Sequence, residues 1–143
     1  MQPGLLAFAV ASAFVGAVLY INIVEQPARL SLAPGAMVQE WTPSNRRGFV
    51  MLSAFAITSA ILAYLDYWNS SNLLWVIGGV VILVSLPYTY FVTVPANIWL
   101  YAMPAQAPDP TIRTLMRNWG LLEWGQAAIG LAACIIFAWA LTS

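Results

Sequence analysis

The sequence predicts an all-α fold, namely an integral membrane protein whose four helices pack as an antiparallel bundle. Of the 143 residues, 62% are hydrophobic and only 7% are charged, whereas soluble domains carry about 25% charged residues. Four stretches contain no charged residue at all, namely 1–24, 48–65, 67–108 and 124–143. Each stretch is long enough to hold a spanning helix of about 20 residues.

The predicted helices cover residues 5–26, 47–65, 73–94 and 111–141, within a single domain of residues 1–143. The first apolar run is interpreted as a spanning helix and not as a cleaved signal peptide, because no Lys or Arg precedes it and it exceeds a typical signal core. The link DYWNSSN is short and polar, which makes the second and third helices a hairpin. The other two links, 27–46 and 95–110, are longer and contain Pro and Gly.

The charged residues gather at one end of the predicted bundle. Following the chain back and forth places every arginine on the same membrane face: Arg29, Arg46, Arg47, Arg113 and Arg117. Four of the five acids join them, and only Asp66 lies at the opposite end. The positive-inside rule therefore predicts that this face is cytoplasmic and that both termini are outside.

The composition excludes several classes of site and partner. Histidine is absent and Cys134 is the single cysteine, so we expect no disulfide within the chain, no His-ligated haem and no His/Cys metal site. A di-iron bundle site would need histidines as well. We therefore expect no cofactor or metal. Net charge is zero and no basic stripe is present, which argues against nucleic acid and leaves the lipid bilayer as the expected partner.

Small residues and tryptophans suggest how the helices pack. Ala9, Ala13 and Ala17 recur every fourth residue on the first helix, and Gly78 and Gly79 lie on the third. Such residues let helix backbones approach closely in lipid. Five tryptophans lie near predicted helix ends, where an aromatic belt at the membrane interface is the default interpretation: Trp41, Trp68, Trp75, Trp99 and Trp119.

A polar stripe runs along the third helix within SLPYTYFVTVPAN. Ser85, Thr89, Thr93 and Asn97 follow one another at i+4 and so share one slanting face. Two interpretations stay open. The hydroxyls either bond back to their own helix near the prolines, or the stripe faces an internal polar cavity together with Tyr88.

Two other helices carry charges at membrane depth. On the fourth helix Glu123 and Gln126 fall in one narrow sector, and a carboxylate there should face the bundle because lipid penalises it. On the first helix Glu25 and Arg29 share a face only if the helix continues through Pro27. If the helix stops there, Arg29 is free to reach across the mouth of the bundle. The plainer interpretation of Glu25 and Arg29 is an exposed ion pair at a helix end, and that of Arg46 and Arg47 is a topology anchor.

Four motifs, VEQPARL, WTPSNRRG, PYTYFVTVPAN and MRNWG, resemble in order and spacing a family of small four-helix membrane proteins. That family includes the fungal anthrone oxygenases and many bacterial members of unknown function. The resemblance implies a four-helix bundle and a bacterial inner membrane. Some members oxidise an anthrone to an anthraquinone with molecular oxygen and no known bound cofactor. By position, the polar residues of the family correspond to Glu25, Arg29, Trp41, Ser44, Arg47, Asn97, Arg117 and Trp119.

This chemistry requires a base, stabilisation of an anion and a dry pocket. Glu25 or Glu123 could be the base, and Arg29, Arg47 or Arg117 could hold the anion. The predicted ligand-binding residues are Asn22, Trp41, Tyr88, Thr89, Asn97, Arg117 and Trp119. The chain departs from the family pattern on the fourth helix, where Glu123 and Gln126 stand at the positions of a His and an Arg.

Two functions are compatible with the sequence. In the first, a hydrophobic small molecule, such as a polycyclic phenol or a quinone-like compound, is bound or oxidised at the Arg-rich end of the bundle. In the second, the protein is a non-catalytic structural or accessory subunit of a larger membrane complex or homo-oligomer. The same charges then form a structural network, because an unpaired charge at that depth costs several kcal/mol.

Overall fold

The protein is a bundle of four long transmembrane helices, as the sequence predicts. A computed structural model describes residues 2–104 and 107–143. Within them the spanning helices are α1 (Pro3–Leu30), α2 (Pro34–Ser70), α3 (Leu73–Tyr101) and α4 (Asp109–Thr142). The helices alternate in direction, and α1 and α3 lie at opposite corners, each packed against α2 and α4.

The helices are longer than the sequence predicts at the Arg-rich end. The predicted link 27–46 is wrong, because α1 continues through Pro27 to Leu30 and α2 begins at Pro34, where proline suits a first turn. The predicted link 95–110 is also largely wrong, since α3 continues to Tyr101; residues 105 and 106 lie outside the described part. The 37 residues of α2 span about 55 Å, so one end projects beyond the hydrocarbon layer of about 30 Å.

The half of the bundle around the α2–α3 turn has an apolar interior, which we call the hairpin core. It consists of Ala7, Ala11, Phe14, Val18, Leu52, Ala56, Ala60, Ala63, Trp75, Ile82, Ala127, Ala133, Phe137 and Ala140. Gly78 and Gly79 are buried as predicted, the first under the Phe137 ring and the second against the Ala60 backbone. The alanine face predicted for α1 is wrong at two of its three positions, whereas Ala17 is half-buried against the hairpin core. Ala9 and Ala13 are exposed, and α1 packs through Ala7, Ala11 and Phe14.

Polar groups in this half have partners within the protein. The Ser59 hydroxyl donates to the Ala7 carbonyl at 2.8 Å. Asp66 accepts a hydrogen bond from the Gly4 amide at 3.0 Å, which satisfies one of the free amides at the start of α1. Asn72 caps α3 by accepting from the Leu74 amide at 3.0 Å. Among the described residues, the hairpin half therefore leaves no buried side-chain nitrogen or oxygen atom without a partner.

A second apolar cluster, the capping core, closes the Arg-rich end. It consists of Met37, Trp41, Leu100, Ile112, Met116 and Trp119. Trp41 packs edge-on against Trp119 with ring centroids 5.9 Å apart. The predicted aromatic belt is thus wrong for these two tryptophans and for Trp75, all of which are buried. Trp68 and Trp99 are exposed, as residues of such a belt would be.

Two π-helical turns interrupt α1 and α3. The first covers Ile21–Glu25 and the second Thr89–Thr93. Each ends two residues before a proline, Pro27 or Pro95. Because proline has no N–H, the carbonyl four residues earlier loses its normal donor, and a local π adjustment is one way to redistribute the hydrogen bonds. Both helices therefore continue through their prolines.

Candidate functional site

Arg29 is the centre of a polar network at the Arg-rich end. It is only 2% exposed. Its Nη1 donates to Gln26 Oε1 at 2.8 Å and its Nη2 donates to Glu25 Oε1 at 2.8 Å. Its Nε donates to Glu40 on α2. The alternatives left open at Pro27 are therefore both realised, because Arg29 pairs with Glu25 along α1 and also reaches across to α2.

The surrounding groups complete this network. Gln26 Nε2 donates to the Met116 carbonyl at 2.7 Å, which ties α1 to α4. The Ser44 hydroxyl donates to Glu25. The Arg29 guanidinium also lies over the Trp119 ring, 5.3 Å from its centroid, which is a favourable position for a cation. The buried charge of Arg29 is thus compensated by partners of its own, as a buried ion requires.

A small cavity lies between the hairpin core and the capping core. Its volume is about 40 Å³, enough for about three water molecules. All four helices contribute to its wall, with Phe14 from α1, Leu52 from α2, Thr93 from α3 and Trp119 from α4 among the lining residues. The wall also includes Glu123, Gln126, Ser44 and Asn97. It is therefore the place where polar groups from different helices meet inside the bundle.

Glu123 lines this cavity and has no partner among the residues that the structure describes. The residue is 5% exposed, and among residues 2–104 and 107–143 its carboxyl group forms no hydrogen bond or ion pair. Four fully buried atoms on the cavity wall have no partner within the described part of the chain: Thr93 Oγ1, Asn97 Oδ1, Trp119 Nε1 and Gln126 Oε1. Buried polar atoms are normally paired, so this concentration of unpaired atoms is typical of a binding site.

Both interpretations of the polar stripe on α3 are correct, since one hydroxyl bonds back to its own helix and the stripe also faces the cavity. The Thr89 hydroxyl bonds back to the Ser85 carbonyl at 2.8 Å and accepts a hydrogen bond from Gln126 on α4. All four stripe residues nevertheless line the cavity. Tyr88 is not part of the wall, since its hydroxyl donates to the Leu122 carbonyl at 2.7 Å beside Gly125.

The other predicted site residues lie around the cavity and not on its wall. Trp41 is fully buried in the capping core, and its Nε1 has no partner among the described residues. Asn22, in the first π turn, is buried with both side-chain polar atoms unpaired in the described structure. Arg47 is exposed in an outer groove between α1 and α2 that Glu25 and Glu40 also line. Arg117 is exposed on α4.

Sequence reasoning missed Gln26 and Glu40 as members of the site. Glu40 lies in the predicted link 27–46, and the sequence alone does not place a link residue opposite Arg29. The only local signal for Gln26 is its spacing of three residues before Arg29, which places both on one helix face. Among the described residues no group of three or more His, Cys, Asp or Glu side chains could hold a metal ion.

Fold and cavity together define a class, the four-helix transmembrane bundle with a buried polar chamber near one end. The sequence profile of the anthrone oxygenase family matches residues 41–136, about two thirds of the chain. The protein belongs to that family. The match includes Asn97, Trp119 and Glu123 but not Glu25 or Arg29. No curated protein and no solved structure matches the chain.

Proposed function

We propose that the protein binds a reduced polycyclic phenol of the anthrone type in the cavity and oxidises it with molecular oxygen, with Glu123 as the base. The observation that carries this proposal is the unpaired carboxyl group of Glu123 on a buried polar wall. A structural role for Glu123 would require a partner, because a buried charge without one is costly. Family membership supports the reaction type.

Glu123 is a better candidate for the base than Glu25. The Glu25 carboxylate already accepts hydrogen bonds from Arg29 and Ser44 at its Oε1, so it is engaged in the Arg29 network. A general base must also lie within hydrogen-bond reach of the proton that it removes. Glu25 lines the outer groove, whereas Glu123 lines the cavity itself.

The reaction requires few protein groups. Glu123 removes a proton from the CH₂ group between the two aromatic rings, and the resulting carbanion adds to O₂ to give a peroxide. Protonation of the peroxide, cleavage of its O–O bond and loss of the second C–H proton leave a carbonyl group and one water molecule. One oxygen atom enters the product and the other leaves as water, so the reaction balances without a cofactor.

The anion formed in this reaction needs hydrogen-bond donors. Trp119 Nε1 and the Thr93 hydroxyl are unpaired donors on the cavity wall, and donors already in position stabilise developing charge most effectively. Arg47 and Arg117, which the sequence suggested for this role, are exposed outside the cavity. Arg29 instead acts indirectly, since its guanidinium lies over the Trp119 ring and holds it in place.

Purified protein in lipid nanodiscs should consume oxygen when supplied with an anthrone and should form the corresponding anthraquinone. We expect Glu123→Gln to lower kcat by about 10²-fold to 10⁴-fold, the usual contribution of a general base. Glu25→Gln is the matched control, because it removes a carboxylate from the Arg29 network and should mainly lower the Tm. Full activity of Glu123→Gln would overturn the role of Glu123.

We further propose that the Arg-rich end faces the cytoplasm of a bacterial inner membrane, with both termini outside. The support for this orientation is the asymmetry of the arginines, all five of which lie at one end of the helices. The orientation can be determined in intact cells by labelling single cysteines, one placed in the α2–α3 turn and one at the Arg-rich end of the protein. Labelling of the α2–α3 turn from the cytoplasm would contradict it.

A second candidate function is that of a non-catalytic subunit of a larger membrane complex or homo-oligomer. The Arg29 network favours it, because its members satisfy one another without any ligand. In this case Glu123→Gln would change stability and assembly but no reaction. Stable co-purification with other membrane proteins would support this function, and oxygen-consuming activity of the isolated protein would count against it.

A further inference from the structure

The cavity wall has one exposed side. Among the described residues that line the cavity, Phe49 on α2 alone is largely exposed, at 51%. Other wall residues from the same region of the sequence are Leu52 and Ser53 from α2, and α3 contributes Leu86 and Thr89 among others. Both contributing stretches lie within charge-free runs, residues 48–65 and 67–108. The exposed side of the cavity therefore lies in charge-free sequence that begins just beyond Arg47, and we expect it to face lipid.

The helix on the far side of this opening, α3, has an irregular backbone. The regular hydrogen bonding of α3 is broken by a turn at Val84 and again by the π turn Thr89–Thr93, and Pro87 between them has no N–H to donate. Nearer the hairpin, α2 and α3 touch through their backbones: a Cβ on Gly79 would lie 3.6 Å from the Ala60 Cα. The two helices are thus fastened at one end, while α3 is locally irregular beside the cavity.

The end of the bundle is closed to a large molecule. Met37, Trp41, Leu100, Ile112 and Met116 of the capping core are fully buried, and the Arg29 network lies beside them. One aqueous alternative exists, because the outer groove between α1 and α2 meets the cavity at Ile21, Ser44 and Gly48. The Ser44 hydroxyl donates a hydrogen bond to Glu25 there, so this contact is polar.

We propose that an apolar, lipid-dissolved molecule reaches the cavity sideways, between α2 and α3, and that the Phe49 side chain covers this opening. The proposal deepens the proposed function and rests on the cavity being the site of reaction. A cavity of about 40 Å³ is far below the roughly 300 to 1,000 Å³ of drug-sized binding pockets. The cavity would become larger if the Phe49 side chain moved outward and α2 separated from α3. Lipid, which is fluid, would surround these groups and allow such movements.

Thiol labelling tests this route without relying on any reaction of the protein. Cys134 is the only cysteine, so Cys134→Ala provides a thiol-free background, and Thr93→Cys places one thiol on the buried wall. Two reagents with the same reactive group are compared in nanodiscs: ethyl methanethiosulfonate, which partitions into lipid, and its trimethylammonium derivative, which does not. Gln39→Cys, exposed at the Arg-rich end, verifies that the charged reagent is active.

The expected result is labelling of Thr93→Cys on the order of 100-fold faster by the uncharged reagent, because a permanent charge is strongly disfavoured in hydrocarbon. Phe49→Ala should increase this rate several-fold. Phe91→Ala is the matched control, since Phe91 is an exposed phenylalanine on α3 that does not line the cavity. It should leave the rate unchanged.

Equal rates with the two reagents would overturn the lateral route and favour the outer groove. So would an absence of any effect of Phe49→Ala, or a failure of both reagents to react. If Thr93→Cys does not fold, Ser85→Cys is the second reporter, because Ser85 is also buried on the wall and cysteine is close to it in shape. Labelling involves no turnover. If the reporter cysteine is labelled rapidly but the wild-type protein has no oxygenase activity, the proposed function is rejected and the lateral route is kept.

Discussion

The two halves of the bundle differ in how completely their polar groups are paired. In the hairpin half, Ser59, Asp66 and Asn72 each bond to the backbone of a helix. By contrast, some buried side-chain nitrogen and oxygen atoms have no partner within residues 2–104 and 107–143, and all of these atoms lie in the Arg-rich half. They belong to Asn22, Trp41, Thr93, Asn97, Trp119 and Gln126.

This difference separates stability from function within one small protein. Small residues and aromatic rings pack the hairpin half tightly, and its few polar groups fasten helix ends. The Arg-rich half keeps unpaired polar atoms around a cavity, which lowers stability but leaves groups available to a ligand. Within that half the Arg29 network is an exception, because it is fully paired and holds α1, α2 and α4 together around the cavity.

The largest stability effect is expected for Arg29→Met. The substitution leaves Glu25 and Glu40 facing each other without the shared cation and leaves Gln26 Oε1 unpaired, so the free energy of unfolding should fall by about 3 to 5 kcal/mol. The measurement is reversible unfolding in mixed micelles of increasing SDS content. Arg117→Met is the matched control, since Arg117 is exposed and its loss should cost less than about 1 kcal/mol. Similar losses for both variants would show that Arg29 is not a central support.

A neighbouring pair of glycines tests the packing of the hairpin half. A Cβ on Gly78 would collide with the buried Phe137 ring, so Gly78→Ala should destabilise the protein by about 1 to 3 kcal/mol. A Cβ on Gly79 would meet Ala60 at ordinary van der Waals distance, 3.6 Å. Gly79→Ala should therefore be neutral, or stabilising by up to about 1 kcal/mol through helix propensity. Equal effects of the two substitutions in thermal unfolding would contradict the described register of α3 against α4.

The smallest effects should have opposite signs in the two halves. Ser59→Ala removes the hydrogen bond that the hydroxyl donates to the Ala7 carbonyl, so the free energy of unfolding should fall by about 1 kcal/mol. Thr93→Val keeps the side-chain shape and removes a hydroxyl that has no partner, so it should gain about 1 kcal/mol. Tm shifts of both variants in detergent would provide the comparison. Destabilisation by Thr93→Val would mean that its hydroxyl is paired after all.

Most of the fold could be predicted from the distribution of charge. The four charge-free stretches locate the spanning helices because lipid excludes charged side chains, and the short link DYWNSSN locates the hairpin. The ends of the helices could not be predicted, since a proline is compatible with a helix that stops, kinks or begins at that point. Pro34 begins α2, and Pro27 lies within the continuous α1.

The site could be predicted only in part, for related reasons. The polar stripe on α3 and the carboxylate of Glu123 were recognised from their position within apolar runs. The partner of Arg29 on α2 was not, because Glu40 contacts Arg29 only when residues 34–46 are helical. The separation of a paired network from an unpaired cavity wall depends on side-chain geometry, which no spacing of residues in the sequence specifies.

The π turns have a further consequence for which residues point inward. The buried residues of α1 follow the three-and-four spacing of a heptad repeat up to Val18, and that repeat would next bring Ile21, Glu25 and Ala28 inside. The structure buries residues one position later: Asn22, Gln26 and Arg29. The extra residue in the π turn acts as a register shift.

The same shift occurs in α3. Its buried positions run through Trp75, Gly78, Ile82 and Ser85, and an unbroken heptad would continue to Val92 and Trp99. After the second π turn, Thr93 and Leu100 are buried instead. Removing one residue from either turn would rotate everything beyond it by about 100°. The arginine network and the polar cavity wall therefore exist as inward-facing features because each of two diagonal helices carries one residue more than a regular repeat would.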